Sequence, residues 1–238
     1  MQVYNWLNFI QSLLFPESCP CCGAATGGDR TFCADCHASL PFNHHACPRC
    51  ALPLPPAASP DIPCGRCSRH PPPHRSAFAA LRYEAPVSQL IAHLKFRRQL
   101  HLAAPLAQLM SERLGPVDPR PDLLVPVPLH PRRLRERGFN QSLELARVLA
   151  AHYGLRLDWR VCRRIHATPA QTGLNERERR RNLRNAFRAE ADLGGRHVVV
   201  LDDVVTTGAT LGELSRTLLR AGAAQVDVWA LARTPAVF

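Results

Sequence analysis

The sequence predicts an α/β fold, a parallel sheet flanked by helices, preceded by a small cysteine-rich module. Three observations predict it. Nine of the ten cysteines lie between Cys19 and Cys67. From residue 76 onward, short aliphatic runs alternate with segments of helical period, the pattern of parallel strands joined by helices. The run at 198–201, Val-Val-Val-Leu, is apolar without interruption, as a central strand buried on both faces requires.

A chain of 238 residues suits one ordinary domain plus a small accessory unit. At 46% hydrophobic and 21% charged it can bury a core, which excludes wholesale disorder. No apolar run approaches the roughly 20 residues of a membrane span. Residues 1–15 are apolar but carry neither Lys or Arg nor a small-residue cleavage site, so they read as a short docking helix and not a signal peptide. Cysteines in a chain without a secretion signal point to metal and not to disulfides.

Charge and proline content divide the chain at the same place. Residues 1–75 carry five Arg against four acids, net +1, whereas 76–238 carry 25 basic against 15 acidic residues, net +10. Prolines crowd the end of the first part, at Pro53, Pro55, Pro56, Pro60, Pro63 and Pro71-Pro72-Pro73, as in loops and linkers. The expected division is therefore 1–75 and 76–238, with the boundary near His74 to Ala77.

In chain order, residues 78–83 read as a strand. Residues 86–96 read as a helix with Val87, Leu90, Ile91 and Leu94 on one face, and 102–114 as a second helix. Residues 122–127 form a short apolar strand, followed by a long loop to Phe139. Asn140 caps a helix running to His152, with Gly154 as its stop. After the strand at 198–201 come a helix over 211–221 and a strand over 225–231.

Cys19-x-x-Cys22, Cys33-x-x-Cys36, Cys47-x-x-Cys50 and Cys64-x-x-Cys67 are four knuckle spacings within fifty residues. Two residues between thiolates let both sulfurs reach one ion from a tight turn, and Gly23 supplies the backbone freedom such a turn favours. Eight thiolates complete two closed tetrahedral zinc shells, which are structural and not catalytic. Sequential pairing gives Cys19/22/33/36 and Cys47/50/64/67; a cross-braced pairing, first pair with third, satisfies the spacing equally. So short a segment cannot bury enough apolar area to fold alone, so metal supplies its folding energy. Cys21 and Cys162 are left over: Cys21 could replace a neighbouring ligand, and Cys162 reads as a small buried hydrophobe. His37, His44, His45 and His70 lie near enough to be alternate ligands, but they read first as surface residues.

The stretch 198–210, V-V-V-L-D-D-V-V-T-T-G-A-T, carries most of the functional signal. Open α/β sheets bind ligands beyond the carboxyl ends of their strands. Asp202 and Asp203 set two carboxylates there, acceptors suited to vicinal hydroxyls. Thr206, Thr207, Gly208, Ala209 and Thr210 then turn into a helix. Small side chains there admit an anion to backbone N–H groups, and the helix N-terminus adds its dipole. Capping offers a plainer reading of part of this: Thr210 and Glu213 satisfy the S/T-x-x-E box, with Gly222 as the stop. Neither G-x-x-x-x-G-K-[S/T] nor G-x-G-x-x-G occurs, which disfavours P-loop and Rossmann sites.

This segment resembles the phosphoribosyl pyrophosphate (PRPP) signature of type I phosphoribosyltransferases. The resemblance implies that Asp202 and Asp203 bind the ribose hydroxyls and that Thr206 to Thr210 cradle the 5′-phosphate, with magnesium accompanying PRPP. Two further segments, Val125-Pro126-Val127-Pro128-Leu129-His130 leading to Arg137-Gly138-Phe139-Asn140-Gln141, and Gln171-x-x-Leu174 leading to Arg181-Asn182 and Phe187, complete the likeness. With a double zinc ribbon in front, the whole chain is similar to the ComF (GntX-like) family. Those relatives are cytoplasmic and linked to uptake and handling of single-stranded DNA in natural competence, so competence machinery and single-stranded DNA are the implied partners. The closing loop of type I transferases resembles residues 165–181. Pro126 and Pro128 stand where many of these enzymes carry a glycine-bearing or basic pyrophosphate loop, and no catalytic residue is assigned.

Arginine dominates the remaining signal. Of 30 basic residues 29 are Arg, and ten fall within 156–188 against three acids. Arg132, Arg133 and Arg137, with Arg179, Arg180 and Arg181, are candidate contacts to pyrophosphate or a nucleic-acid backbone, because guanidinium forks match phosphate oxygens bidentately. The bland alternative is a solvated helix face. The expected role is a PRPP-binding factor that supports handling of single-stranded DNA. The alternative is an active phosphoribosyltransferase that passes phosphoribose to a nucleobase or other acceptor and releases pyrophosphate.

Overall fold

A computed structural model describes residues 18–26, 31–166 and 183–235. Within them the cysteine-rich part repeats one device. A knuckle turn is closed by an antiparallel bridge, Ser18 to Ala25 in the first copy and Ala46 to Pro53 in the second. A short helix then carries the second cysteine pair: α1 (Ala34–Ala38) follows Cys33, and α2 (Gly65–Arg69) follows Cys64. The residue after the first knuckle of each copy takes the left-handed conformation, Gly23 at φ 74° and Ala51 at φ 55°. Both N–H groups donate back to the first cysteine of the knuckle, Cys19 or Cys47, at 2.8 Å.

The second part is the expected α/β layer structure. Strand β1 (Ala77–Arg82) leads to α3 (Val87–Arg97), whose Val87, Leu90, Ile91 and Leu94 are buried as their spacing predicts. A single 3₁₀ turn and α4 (Ala103–Leu114) bring the chain to β2 (Leu123–Pro126). The segment read as a loop before Phe139 contains a helix, α5 (Pro131–Arg137), with His130 as its cap, proline at its first position and Gly138 at φ 86° as its stop. Its residues run Pro-Arg-Arg-Leu-Arg-Glu-Arg, so it has no apolar face, and hydrophobic periodicity could not reveal it. Helix α6 (Gln141–Tyr153) is capped by the Asn140 side chain and ends at Gly154, as expected.

A small antiparallel pair, β3 (Cys162–Arg164) and β4 (Phe187–Ala189), flanks residues 167–182. Expectations for residues 1–15, for Arg179, Arg180 and Arg181, and for most of the closing loop lie outside the described residues. The chain then enters β5 (His197–Val205), α7 (Ala209–Arg220) and β6 (Gln225–Arg233).

Among the described residues the main sheet has the order β1-β6-β5-β2, all pairs parallel. Alternate residues of β5 feed two cores. Val199 and Leu201 pack with α3, α4 and α6, and Val198 and Val200 pack with α7. The cysteine module shares in this packing, because Cys19, Phe32 and Leu40 belong to the first core. It also pairs with the edge of β1: Phe42 bridges Leu81 antiparallel, Arg82 N–H donates to the Pro41 carbonyl at 2.8 Å, and Asn43 N–H donates to that of Ala80 at 3.0 Å. The other edge, β2, is covered at Leu124, which bonds Arg156 and Asp158. At the end of the sheet remote from Asp202, buried Asp227 accepts from Arg75, Ser76, His197 and Gln225, which fastens residues 75–76 to β6.

Candidate phosphoribosyl site and zinc centres

The eight knuckle cysteines gather as Cys19/22/33/36 and Cys47/50/64/67, with the sulfurs of each set within 4.8 Å of one another. This is the sequential pairing, and it removes the cross-braced alternative. Cys22 and Cys33 sulfurs lie 3.7 Å apart, Cys50 and Cys64 sulfurs 3.8 Å. A zinc–sulfur bond of about 2.3 Å sets a tetrahedron edge of about 3.8 Å, so both sets fit zinc with all four positions filled by protein. Backbone N–H groups support the thiolates, Cys36 to the Cys33 sulfur at 3.5 Å and Cys64 to that of Cys47 at 3.2 Å. Cys21 and the four histidines stand outside both sets, and His37 instead meets Glu112 at 3.1 Å. Cys162 is buried in β3, and burial pushes its thiol up to about 12, as suits an inert core residue.

The crevice lies at the carboxyl end of β5. This strand continues four residues beyond the predicted Leu201, so both aspartates belong to it. Asp202 is half-buried; its Oδ1 accepts from the Ser142 hydroxyl at 3.1 Å and from the Asp203 N–H at 2.9 Å. Burial, and after it the neighbouring Asp203 charge, push the Asp202 carboxyl up to about 7. Asp203 is buried and pairs with the Lys95 ammonium from α3, while Gln141 Nε2 reaches its Oδ1 at 3.4 Å. Arg137 closes the chain of contacts by donating to Gln141 Oε1 at 2.5 Å.

Beyond Val205 the backbone crosses to α7 through Gly208, whose φ of 77° is the left-handed conformation that favours glycine. Gly208 is the N-cap and offers no side-chain cap of its own. The expected capping box is therefore absent. Because α7 begins at Ala209, Thr210 falls inside its first turn, and Glu213 turns away to accept from Asn185 N–H at 2.8 Å and from Arg216 at 3.0 Å. Thr207 Oγ1 accepts from Ala209 N–H at 3.3 Å. The first N–H groups of a helix lack intrahelical partners, and here they open beside a loop of small residues, a geometry suited to an anion.

Arg132 and Arg133 lie exposed on α5, and Arg137 is half-buried at its end, next to Gln141. Sequence reading missed three members of the crevice. Lys95 is the only lysine in the chain, a signal available in the composition. Ser142 follows the Asn140 cap directly. Arg164 is buried, which lowers its pKa, and its guanidinium feels the charges of Arg133 and Asp202; it was submerged in an arginine-rich tract.

This architecture defines a phosphoribosyltransferase-type α/β domain joined to two zinc ribbons. Family models agree: the double zinc ribbon domain matches residues 10–68, and the phosphoribosyl transferase domain matches residues 137–236. The DNA utilization protein YhgH of Salmonella typhi is 44% identical over 85% of this chain and 90% of its own length, and that of Escherichia coli K12 is 41% identical over 91% and 90%. Competence protein F of Haemophilus influenzae is 33% identical over 71% of this chain and 78% of its own. The chain belongs to this family, the ComF (GntX-like) proteins. No helix among the described residues is long and apolar enough to cross a membrane.

Proposed function

We propose that the crevice binds PRPP with magnesium, and that the protein acts in the cytoplasm in the use of incoming single-stranded DNA. The observation that carries the ligand is the sequence of groups along one strand-to-helix crossing: a half-buried Asp202, a small-residue turn, and a helix N-terminus whose cap residue is glycine. Asp202 and Asp203 take the ribose hydroxyls, and Thr206, Thr207, Gly208, Ala209 and Thr210 take the 5′-phosphate. Magnesium, when bound, supplies positive charge to the diphosphate and the acidic pair. Arg132, Arg133 and Arg137 are the candidate contacts to the diphosphate, with Arg137 linked to the acidic pair through Gln141. The DNA role rests on the relatives named for DNA utilization and competence.

Calorimetry with PRPP and magnesium tests this reading. Wild type is expected to bind and to melt at a higher temperature, because a ligand held only by the folded state stabilises it. Replacing both aspartates by asparagine is expected to weaken binding. No binding at millimolar PRPP overturns the reading. Pyrophosphate release in the presence of candidate acceptor bases distinguishes transfer from binding alone.

A further inference from the structure

The back of the phosphate loop is held by the second zinc ribbon. Arg66, in α2 between the ligands Cys64 and Cys67, donates from Nη2 to the Thr207 carbonyl at 3.1 Å. Arg233, the last residue of β6 and 4% exposed, donates from Nε to the Cys50 carbonyl at 3.1 Å. Its Nη1 turns to the loop and donates to the carbonyls of Val205 at 3.0 Å and of Thr206. The carbonyl that ends β5, at Val205, and the first two loop carbonyls, of Thr206 and Thr207, thus face two guanidiniums, and Thr234 N–H also donates to the Val205 carbonyl at 3.0 Å. One guanidinium grows from the four-cysteine cluster, and the other is bonded to a cysteine of that cluster.

Peptide planarity gives this arrangement a consequence. In a trans peptide the carbonyl of one residue and the N–H of the next point in opposite directions. Holding the carbonyls of Val205, Thr206 and Thr207 toward the ribbon therefore turns the N–H groups of Thr206, Thr207 and Gly208 away from it. A cavity of about 430 Å³, lined in part by Arg66, Arg69, Pro73, Gly212 and Arg233, separates much of the ribbon from α7. Both guanidiniums line this gap, and from the ribbon's side of the loop Arg66 is the contact that reaches Thr207.

We propose that Arg66 and Arg233 are positioning residues for the phosphate loop, and that they couple the second zinc centre to phosphoribosyl binding. The inference rests on the reading of the crevice given above. A filled ribbon fixes the loop in its anion-binding form. By thermodynamic reciprocity, a bound phosphoribosyl ligand makes the ribbon hold its metal more tightly.

The test uses the full chain with two zinc ions bound. PRPP affinity is measured by calorimetry with magnesium for wild type, Arg66→Ala and Arg66→Lys. Zinc loss to a chromogenic chelator is followed with and without PRPP. Arg66→Ala is expected to weaken PRPP binding by about fivefold or more, the lower range of such couplings. Arg66→Lys, which keeps one donor, is expected to restore part of it. PRPP is expected to slow zinc loss from wild type and to do so less in Arg66→Ala. If wild type binds PRPP but zinc loss ignores the ligand and Arg66→Ala binds equally well, the coupling is overturned while the crevice reading stands. If wild type ignores PRPP, both fall. The zinc-loss measurement on wild type decides the matter even where Arg66→Ala does not fold.

Discussion

Lys95, the only lysine of the chain, sets its ammonium against the buried carboxylate of Asp203, joining α3 to the carboxyl end of β5. A buried carboxylate needs a partner, and removing one member of a buried pair costs more than the pair itself contributes.

Lys95→Met is therefore expected to lower stability by about 3 kcal/mol, read from urea unfolding. Lys95→Arg, which keeps the charge, is expected to recover much of that loss. Equal stability of Lys95→Met and wild type would show that Asp203 draws nothing from the contact.

Asp202 gives a pH signature. Its carboxyl is pushed up to about 7 in the folded protein, above the usual carboxylate range, so the folded state binds the proton more tightly than the unfolded chain. Stability from this group is fully present below the unfolded value and falls as pH rises toward about 7. Asp202→Asn is expected to flatten the dependence of melting temperature on pH across that window. A variant whose profile parallels wild type would place the titration elsewhere.

Metal analysis is expected to return about two zinc ions per chain, one for each four-cysteine set. Cys33→Ser should lower that number. Cys162→Ser should leave it unchanged, because its thiol is buried in β3, away from both sets.

Single-stranded DNA binding is expected to be nearly independent of sequence and to weaken with salt, with a log–log slope of roughly −0.7 per phosphate contact. Arg179, Arg180 and Arg181 together replaced by Ala should flatten the slope without altering zinc content. If a fragment spanning 76–238 shows no salt-dependent binding while the full chain does, the contacts belong to the ribbons.

What could be read before the structure followed from local chemistry. The cysteine spacings, the β5 run and the Asn140 cap each write their consequence into a few adjacent residues, and all three appear as read. Helix α5 escaped because an arginine-covered helix has no hydrophobic period. The capping box misled because its letters are satisfied by Thr210 and Glu213, while the chain starts α7 earlier and gives Glu213 to Asn185, 28 residues away in sequence. Lys95, Ser142 and Arg164 reach the crevice from three separate elements. Such convergence is set by packing, which no short window of sequence records.

The antiparallel contact of Phe42 with Leu81 has a consequence for solubility. Strand β1 is an outer strand, and its free backbone groups would otherwise be a template on which another chain could add. Residues 41–43 occupy that rim, and zinc holds the fold of the module to which they belong. Stripping the metal thus does more than detach an accessory part: it gives the sheet an adhesive border along β1. The apoprotein should leave solution as assemblies built outward from β1, and its loss should accelerate with protein concentration.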